Sequence, residues 1–210
     1  MKFFSRDIRF STFLKIGLPP VDDRFGVYFV TGRQGSGKSY YAVYLLHKTI
    51  QGNTDKLNKV YTNMQSLKVP DCEIVYFTTV DELYQNIDED CIFILDELSR
   101  KYDKNSRTDT QFYAWLNQSR KRRRIVIMIT QEWRELPMWI RRPAKFMITT
   151  RPATIMNKFG IYRSCVGDAE NMTFNKDEGE YECPPITYIY YKRCQEIAKM
   201  YDTFEAINQL

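Results

Sequence analysis

Long apolar runs are missing from this chain: runs such as residues 125–129 fall far short of the roughly 18–20 residues that a membrane-spanning helix needs. The first ten residues are broken by charge every few positions and lack a small-residue cleavage site. A secretory signal is therefore not expected, and the expected setting is the cytoplasm. Histidine is almost absent, with His47 alone, and the five cysteines (Cys72, Cys91, Cys165, Cys183, Cys194) include no C-x-x-C pair. A usual zinc pattern is excluded, and the thiols read as buried or bystander groups in a reducing compartment. Internal repeats and low-complexity segments are lacking too. An aromatic content of 15% excludes disorder, and a net charge of +5 is too mild for a histone-like protein but leaves room for local basic patches. At 210 residues the chain suits one substantial core.

Residues 1–24 place Phe3, Phe4, Ile8, Phe10, Phe13, Leu14 and Ile16 among charges and end at Pro19-Pro20. They read as an arm, with its own domain, a neighbouring subunit and a membrane surface as the three possible docking places. Residues 25–210 read as the domain proper. Short apolar or β-branched runs at 27–31, 59–62, 73–78, 91–95, 125–130 and 145–149 are expected strands, and 39–50, 79–87 and 108–120 are expected helices, the first closed by Gly52-Asn53. Alternation of this kind predicts a doubly wound, mostly parallel α/β sheet. Beyond Pro152, residues 161–166 and 186–191 flank an acidic stretch, 168–182. This predicts a C-terminal antiparallel hairpin around a solvated loop.

The strongest motif is Gly32-Arg33-Gln34-Gly35-Ser36-Gly37-Lys38-Ser39, which fits G-x-x-x-x-G-K-[ST] between the first strand and the first helix. Glycines let such a loop turn its N–H groups inward, and the helix that continues through Tyr40 adds positive potential. Lys38 would reach the β/γ-phosphates of ATP, and the Ser39 hydroxyl would ligate Mg²⁺. The run 91–95 ends in Asp96-Glu97. A carboxylate at Asp96 suits the Mg²⁺ shell, and one at Glu97 suits the deprotonation of attacking water. Gln131, at the carboxyl end of 125–130, is placed to sense the γ-phosphate or position that water. Five consecutive cations, Arg120 to Arg124, with Arg134, Arg141, Arg142, Lys145 and Arg151 further on, suit sequence-independent contact with the DNA backbone. Arg120 and Arg141 are also the candidates for an arginine finger acting on a neighbour's nucleotide in a homo-oligomeric ring.

The loop 32–39, the Asp96-Glu97 strand end, the segment 112–121, the Thr130-Gln131 strand end, Tyr61-Thr62-Asn63 and the closing Tyr201-Asp202-Thr203 together resemble the Zot-like ATPases. That family includes the filamentous-phage gene I assembly protein, within the FtsK–HerA group of P-loop motors, and the resemblance covers roughly residues 26–208. It implies a P-loop NTPase fold and ATP hydrolysis driving viral DNA through a ring during virion assembly, with other assembly or membrane proteins as partners. By the same resemblance Lys38, Ser39, Asp96, Glu97 and Gln131 take the motor roles given above. Members of the gene I kind continue into a transmembrane helix. Two forms therefore stay open: a motor at the inner face of the host membrane, trimmed of that helix, and a membrane-free relative nearer the genome-packaging ATPases of icosahedral viruses. A P-loop kinase with an Arg-rich lid and a non-hydrolysing nucleotide-binding scaffold are the competing classes.

Overall fold

The computed structural model describes residues 25–51, 57–85, 88–97, 101–102, 105–152, 161–177 and 179–202. The N-terminal arm and the Gly52-Asn53 pair lie outside them. Strand β1 (Gly26–Thr31) leads into helix α1 (Lys38–Gln51). Then come β2 (Lys59–Thr62), β3 (Glu73–Tyr76), the short helix α2 (Asp81–Tyr84), β4 (Ile92–Leu95), α3 (Thr110–Gln118) and β5 (Ile125–Thr130). A 3₁₀ turn (Trp133–Glu135) and α4 (Met138–Arg141) precede β6 (Ala144–Pro152) and β7 (Ile161–Asp168). The chain closes with β8 (Thr173–Asn175), β9 (Glu180–Glu182), β10 (Pro185–Lys192) and α5 (Gln195–Ala198).

Eight strands form one sheet in the order β10-β7-β6-β1-β5-β4-β2-β3. Strands β1 to β6 pair in parallel, and β7 and β10 add antiparallel at one side. This is the α/β, doubly wound, mostly parallel sheet that the alternating pattern predicts, with the antiparallel pair after it. The central strands β1, β4 and β5 are buried at every position because both sheet faces are covered. Period-two alternation then divides them. Tyr28, Val30, Ile92, Ile94, Ile127 and Ile129 pack beneath α1, α5 and Tyr201, whereas Val27, Phe29, Phe93, Leu95, Val126 and Met128 pack beneath Phe112, Trp115 and Leu116 of α3.

Several boundaries differ from expectation for local reasons. The helix expected over 79–87 is reduced to α2, with 86–87 outside the described residues, because Glu82 Oε1 accepts the N–H groups of Thr78 and Thr79 and ties them into the preceding turn. Helix α3 starts at Thr110, since Asp109 caps it by accepting from Phe112 N at 3.0 Å. It stops before Arg120, and the chain turns at Arg123, where φ is +53°. Strand β6 exceeds its expected 145–149 because β1 and β7 pair with it on both sides. The acidic stretch is more than a solvated loop: β8 and β9 pair within it.

Candidate nucleotide site

The glycine loop leaves the carboxyl end of β1 and is stapled to the strands on either side. On the β5 side Gly32 N and Thr31 Oγ1 both donate to the carbonyl of Gln131, at 3.3 and 3.1 Å. On the β6 side Ser36 Oγ meets Thr150 Oγ1 at 2.9 Å, and Thr150 Oγ1 donates to Thr31 O. Gly32 admits no side chain: a Cβ there would lie 2.4 Å from Ser36 Oγ and 2.7 Å from Thr150 O. Gly37 has φ +86°, and Tyr162 lies 3.6 Å from the position its Cβ would take. The backbone therefore turns where a phosphate cradle needs it to turn, at the N-terminus of α1.

Helix α1 begins at Lys38, and Ser39 Oγ donates to Asp96 Oδ2 at 3.3 Å, joining two motifs separated by 57 residues in sequence. Asp96 sits at the carboxyl end of β4, one strand away from β1 across β5. Asn63, at the end of β2, clamps its main chain in both directions: Asp96 N donates to Asn63 Oδ1 at 2.8 Å, and Asn63 Nδ2 donates to Asp96 O at 3.0 Å. Glu97 follows in the left-handed region (φ +56°), with its N–H donated to Asp96 Oδ1. A non-glycine residue held there stores strain of the kind that gathers at functional sites. A hydroxyl and a buried carboxylate side by side are hard oxygen donors, a set that fits Mg²⁺.

Asp96 is only 6% exposed, and burial pushes its carboxyl up to about 6 against the pull of the Glu97 N–H, Lys38 and Ser39. This folded value lies above the unfolded one. The ionised form therefore costs stability at neutral pH, while below about pH 4 both states are protonated and the cost vanishes. Asp96→Asn should thus stabilise the nucleotide-free, EDTA-treated protein by about 3 kcal/mol near pH 7.5, or roughly 9 °C in Tm. The gain should fade as pH falls to 4. A lower Tm for the variant at pH 7.5 would remove the argument.

Not every residue of the motif faces a ligand. The Ser36 hydroxyl is turned inward to Thr150, and Tyr40 is buried among Tyr162 and Tyr191, its hydroxyl accepting from Cys194 N at 2.7 Å. The nucleotide contacts expected of Ser36 and Tyr40 therefore fall to their backbone N–H groups, since both side chains are used within the fold. Lys38, Ser39, Asp96, Glu97 and Gln131 all gather at the carboxyl ends of β1, β4 and β5. Asn63 and Thr150 join the site without being site candidates in the sequence. Asn63 has a signal in its strand-ending Thr-Asn pair, whereas Thr150 has none beyond its place at the end of an apolar run.

The arginines lie elsewhere. Residues 120–124 precede Ile125, which pairs with Gly26 at the start of β1, and Gly26 N donates to Arg124 O. They therefore occupy the sheet edge opposite the glycine loop. Arg141 shortly precedes Ala144, the partner of Val27 at that same edge. It is 3% exposed, with its guanidinium 5.9 Å from the Trp133 ring centroid. The expectation that Arg141 lies on the nucleotide side and reaches a neighbour is corrected: it is packed inside its own domain. Arg120 is exposed and pairs with Glu170 at 3.7 Å. Arg124, expected in the DNA-binding run, is 1% exposed and belongs to the core.

A strand, a glycine loop and a helix, with a carboxylate strand set one strand away, define a P-loop NTPase. Within that class, residues 28–152 match the family described as AAA, ATPase family associated with various cellular activities, and with more than half its length matched the chain belongs to that family. Comparison with curated protein sequences gives no match. Among solved structures, the N-terminal domain of zonular occludens toxin from Neisseria meningitidis is similar at 18% identity and TM-score 0.57, over 84% of this chain and 98% of the other. The genome packaging NTPase B204 from Sulfolobus turreted icosahedral virus 2, in complex with AMPPCP, is similar at 15% identity and TM-score 0.53, over 78% and 100%. Flagellar accessory protein FlaH from Methanocaldococcus jannaschii is similar at 13% identity and TM-score 0.51, over 90% and 92%. At these identities the likeness is one of fold, and it includes the family whose motifs the sequence resembles.

Proposed function

We propose that the chain is an ATP-hydrolysing motor acting on viral DNA during virion assembly or extrusion. The observation that carries the hydrolytic part is the contact of Ser39 with Asp96, which brings the glycine loop and the Asp96-Glu97 strand end to one point. In this reading the loop N–H groups and Lys38 hold the phosphates of ATP, Ser39 and Asp96 hold Mg²⁺, and Glu97 takes a proton from the attacking water. Gln131, anchored through its carbonyl to both Thr31 and Gly32, leaves its side chain to meet that water or the γ-phosphate. When bound, Mg²⁺ supplies charge neutralisation on the phosphates.

DNA as the partner is supported by the exposed or half-buried cations Arg120, Lys121, Arg122 and Arg123 at the far sheet edge. The name of one similar fold, a genome packaging NTPase, points the same way. The kinase reading is weakened because its lid arginines leave from the edge opposite the glycine loop. Within a head-to-tail ring, Arg120 on this far edge is the remaining candidate for a finger reaching a neighbour's nucleotide. Among the described residues no helix is long and apolar enough to cross a membrane. This favours neither the membrane-attached form at the inner face of the host membrane nor a membrane-free packaging ATPase.

Phosphate release measured with and without DNA tests the proposal. A motor is stimulated, a kinase needs a small acceptor, and a scaffold is silent. Binding should fall steeply with salt, by a log–log slope of about −0.7 to −0.9 per phosphate contact, and neutralising Arg120, Lys121 and Arg122 should flatten that slope. Turnover indifferent to DNA, with affinity indifferent to salt, would remove the motor reading.

A further inference from the structure

Pairing across β6, β7 and β10 fixes which residues share a sheet face. Thr149, Cys165 and Tyr188 form one row, Arg151, Arg163 and Tyr190 the next, and Ile161 with Lys192 a third. The opposite face of these strands carries Ile148, Val166, Ile189 and Tyr191 and is buried against α1. The first face is open: Tyr188 is 50% and Tyr190 49% exposed, and Arg151 and Lys192 are exposed beside them. Among the described residues of β6, β7 and β10 this face holds no carboxylate, and Arg151, Arg163 and Lys192 form no ion pair. The Arg163 guanidinium lies 5.2 Å from the Tyr188 ring centroid, so one side of that ring is steadied by a cation.

We infer that this open face is a binding surface for single-stranded nucleic acid, an inference that rests on the reading of nucleic acid as the protein's partner and names its form. The complement of a face bearing only cations is an anion, and the complement of two exposed rings is a second planar apolar group. A single strand supplies both, with phosphates for the arginines and lysine and unpaired bases for the tyrosines. Tyr188 and Tyr190 stand two residues apart on one strand, about 6.8 Å, which gives each ring room for its own base. A duplex keeps its bases stacked on one another and offers the rings nothing. The glycine loop lies against the opposite face of the same strands: Thr150, next to Arg151, meets Ser36, and Tyr162, next to Arg163, lies against Gly37.

The experiment is fluorescence anisotropy of labelled oligothymidylate and of labelled duplex against the full chain, with assembly size followed by light scattering. Tyr188→Ala with Tyr190→Ala should weaken oligothymidylate binding by about tenfold or more and leave duplex binding at the parent level, while Tyr188→Phe with Tyr190→Phe keeps both, since stacking needs the ring and not the hydroxyl. Arg151→Gln with Arg163→Gln should reduce the salt slope for the single strand. Parent-like oligothymidylate affinity in the alanine variant, or a loss shared equally with the duplex, overturns the inference. So does a change of assembly size with single-strand affinity intact, which would make the face a contact between copies. If the parent binds neither probe, the DNA reading itself falls; if it binds the duplex alone, only this inference does.

Discussion

Glu97→Gln should bind ATP as the parent does and hydrolyse it about 10²–10⁴ times more slowly, whereas Lys38→Ala should not bind it measurably at micromolar concentrations. The two losses differ because the proposed reading gives the two residues different parts of the reaction. Lys38 opens α1 beside the loop and supplies fixed positive charge, without which the triphosphate is held by backbone dipoles alone. Glu97 follows a carboxylate whose main chain is clamped by Asn63, and its own N–H is fixed on Asp96 Oδ1. The side chain thus departs from a rigid point, which the proposed reading sets beside the γ-phosphate. Glutamine keeps the size and the strained backbone but cannot accept a proton, so binding survives and chemistry stops. Equilibrium binding of a fluorescent ATP analogue and steady-state phosphate release separate the two effects. A Glu97→Gln protein that turns over at the parent rate would take the base assignment away from Glu97.

What the sequence makes legible follows from how local each signal is. The glycine loop is contiguous, so spacing alone places it between β1 and α1, and the buried strands β1, β4 and β5 announce themselves as continuous apolar runs. The carboxylate pair is legible because strand ends in such sheets present their residues to the ligand side. The clamp of Asn63 on Asp96 spans 33 residues, and the contact of Ser36 with Thr150 spans 114. No periodicity encodes such pairs, since they depend on which strands become neighbours. The strand order sets β6 beside β1 and so delivers Thr150 to the loop. The short β8–β9 pair hides for another reason: its sequence is acidic and polar, and it is held by main-chain pairing with little apolar cover.

Charge gives no direction, and the run of cations before β5 shows this most plainly. Arg120 to Arg124 look equivalent in sequence, yet the chain turns at Arg123 and sends the last guanidinium inward. It lies 5.5 Å from the ring centroids of both Phe93 and Trp115, and its Nε donates to Asp88 O at 2.8 Å. Asp88 is itself held from the other side by Lys59 at 2.7 Å and by the Tyr61 hydroxyl. The arginine therefore ties the segment before β4 to the α3 side of the core, through two aromatic faces and a backbone carbonyl. Arg124→Ala should break that hydrogen bond and leave a void between Phe93 and Trp115, at a cost of about 3 kcal/mol, the size expected when a buried hydrogen bond and the packing around it are removed together. That is roughly a hundredfold in the folding equilibrium. Arg120→Ala, on an exposed side chain, should change stability by less than about 0.5 kcal/mol, so the pair separates a core arginine from a surface one. Urea unfolding of both variants beside the parent reads the difference. A midpoint for Arg124→Ala equal to that of Arg120→Ala would return Arg124 to the basic surface that the sequence alone assigns it.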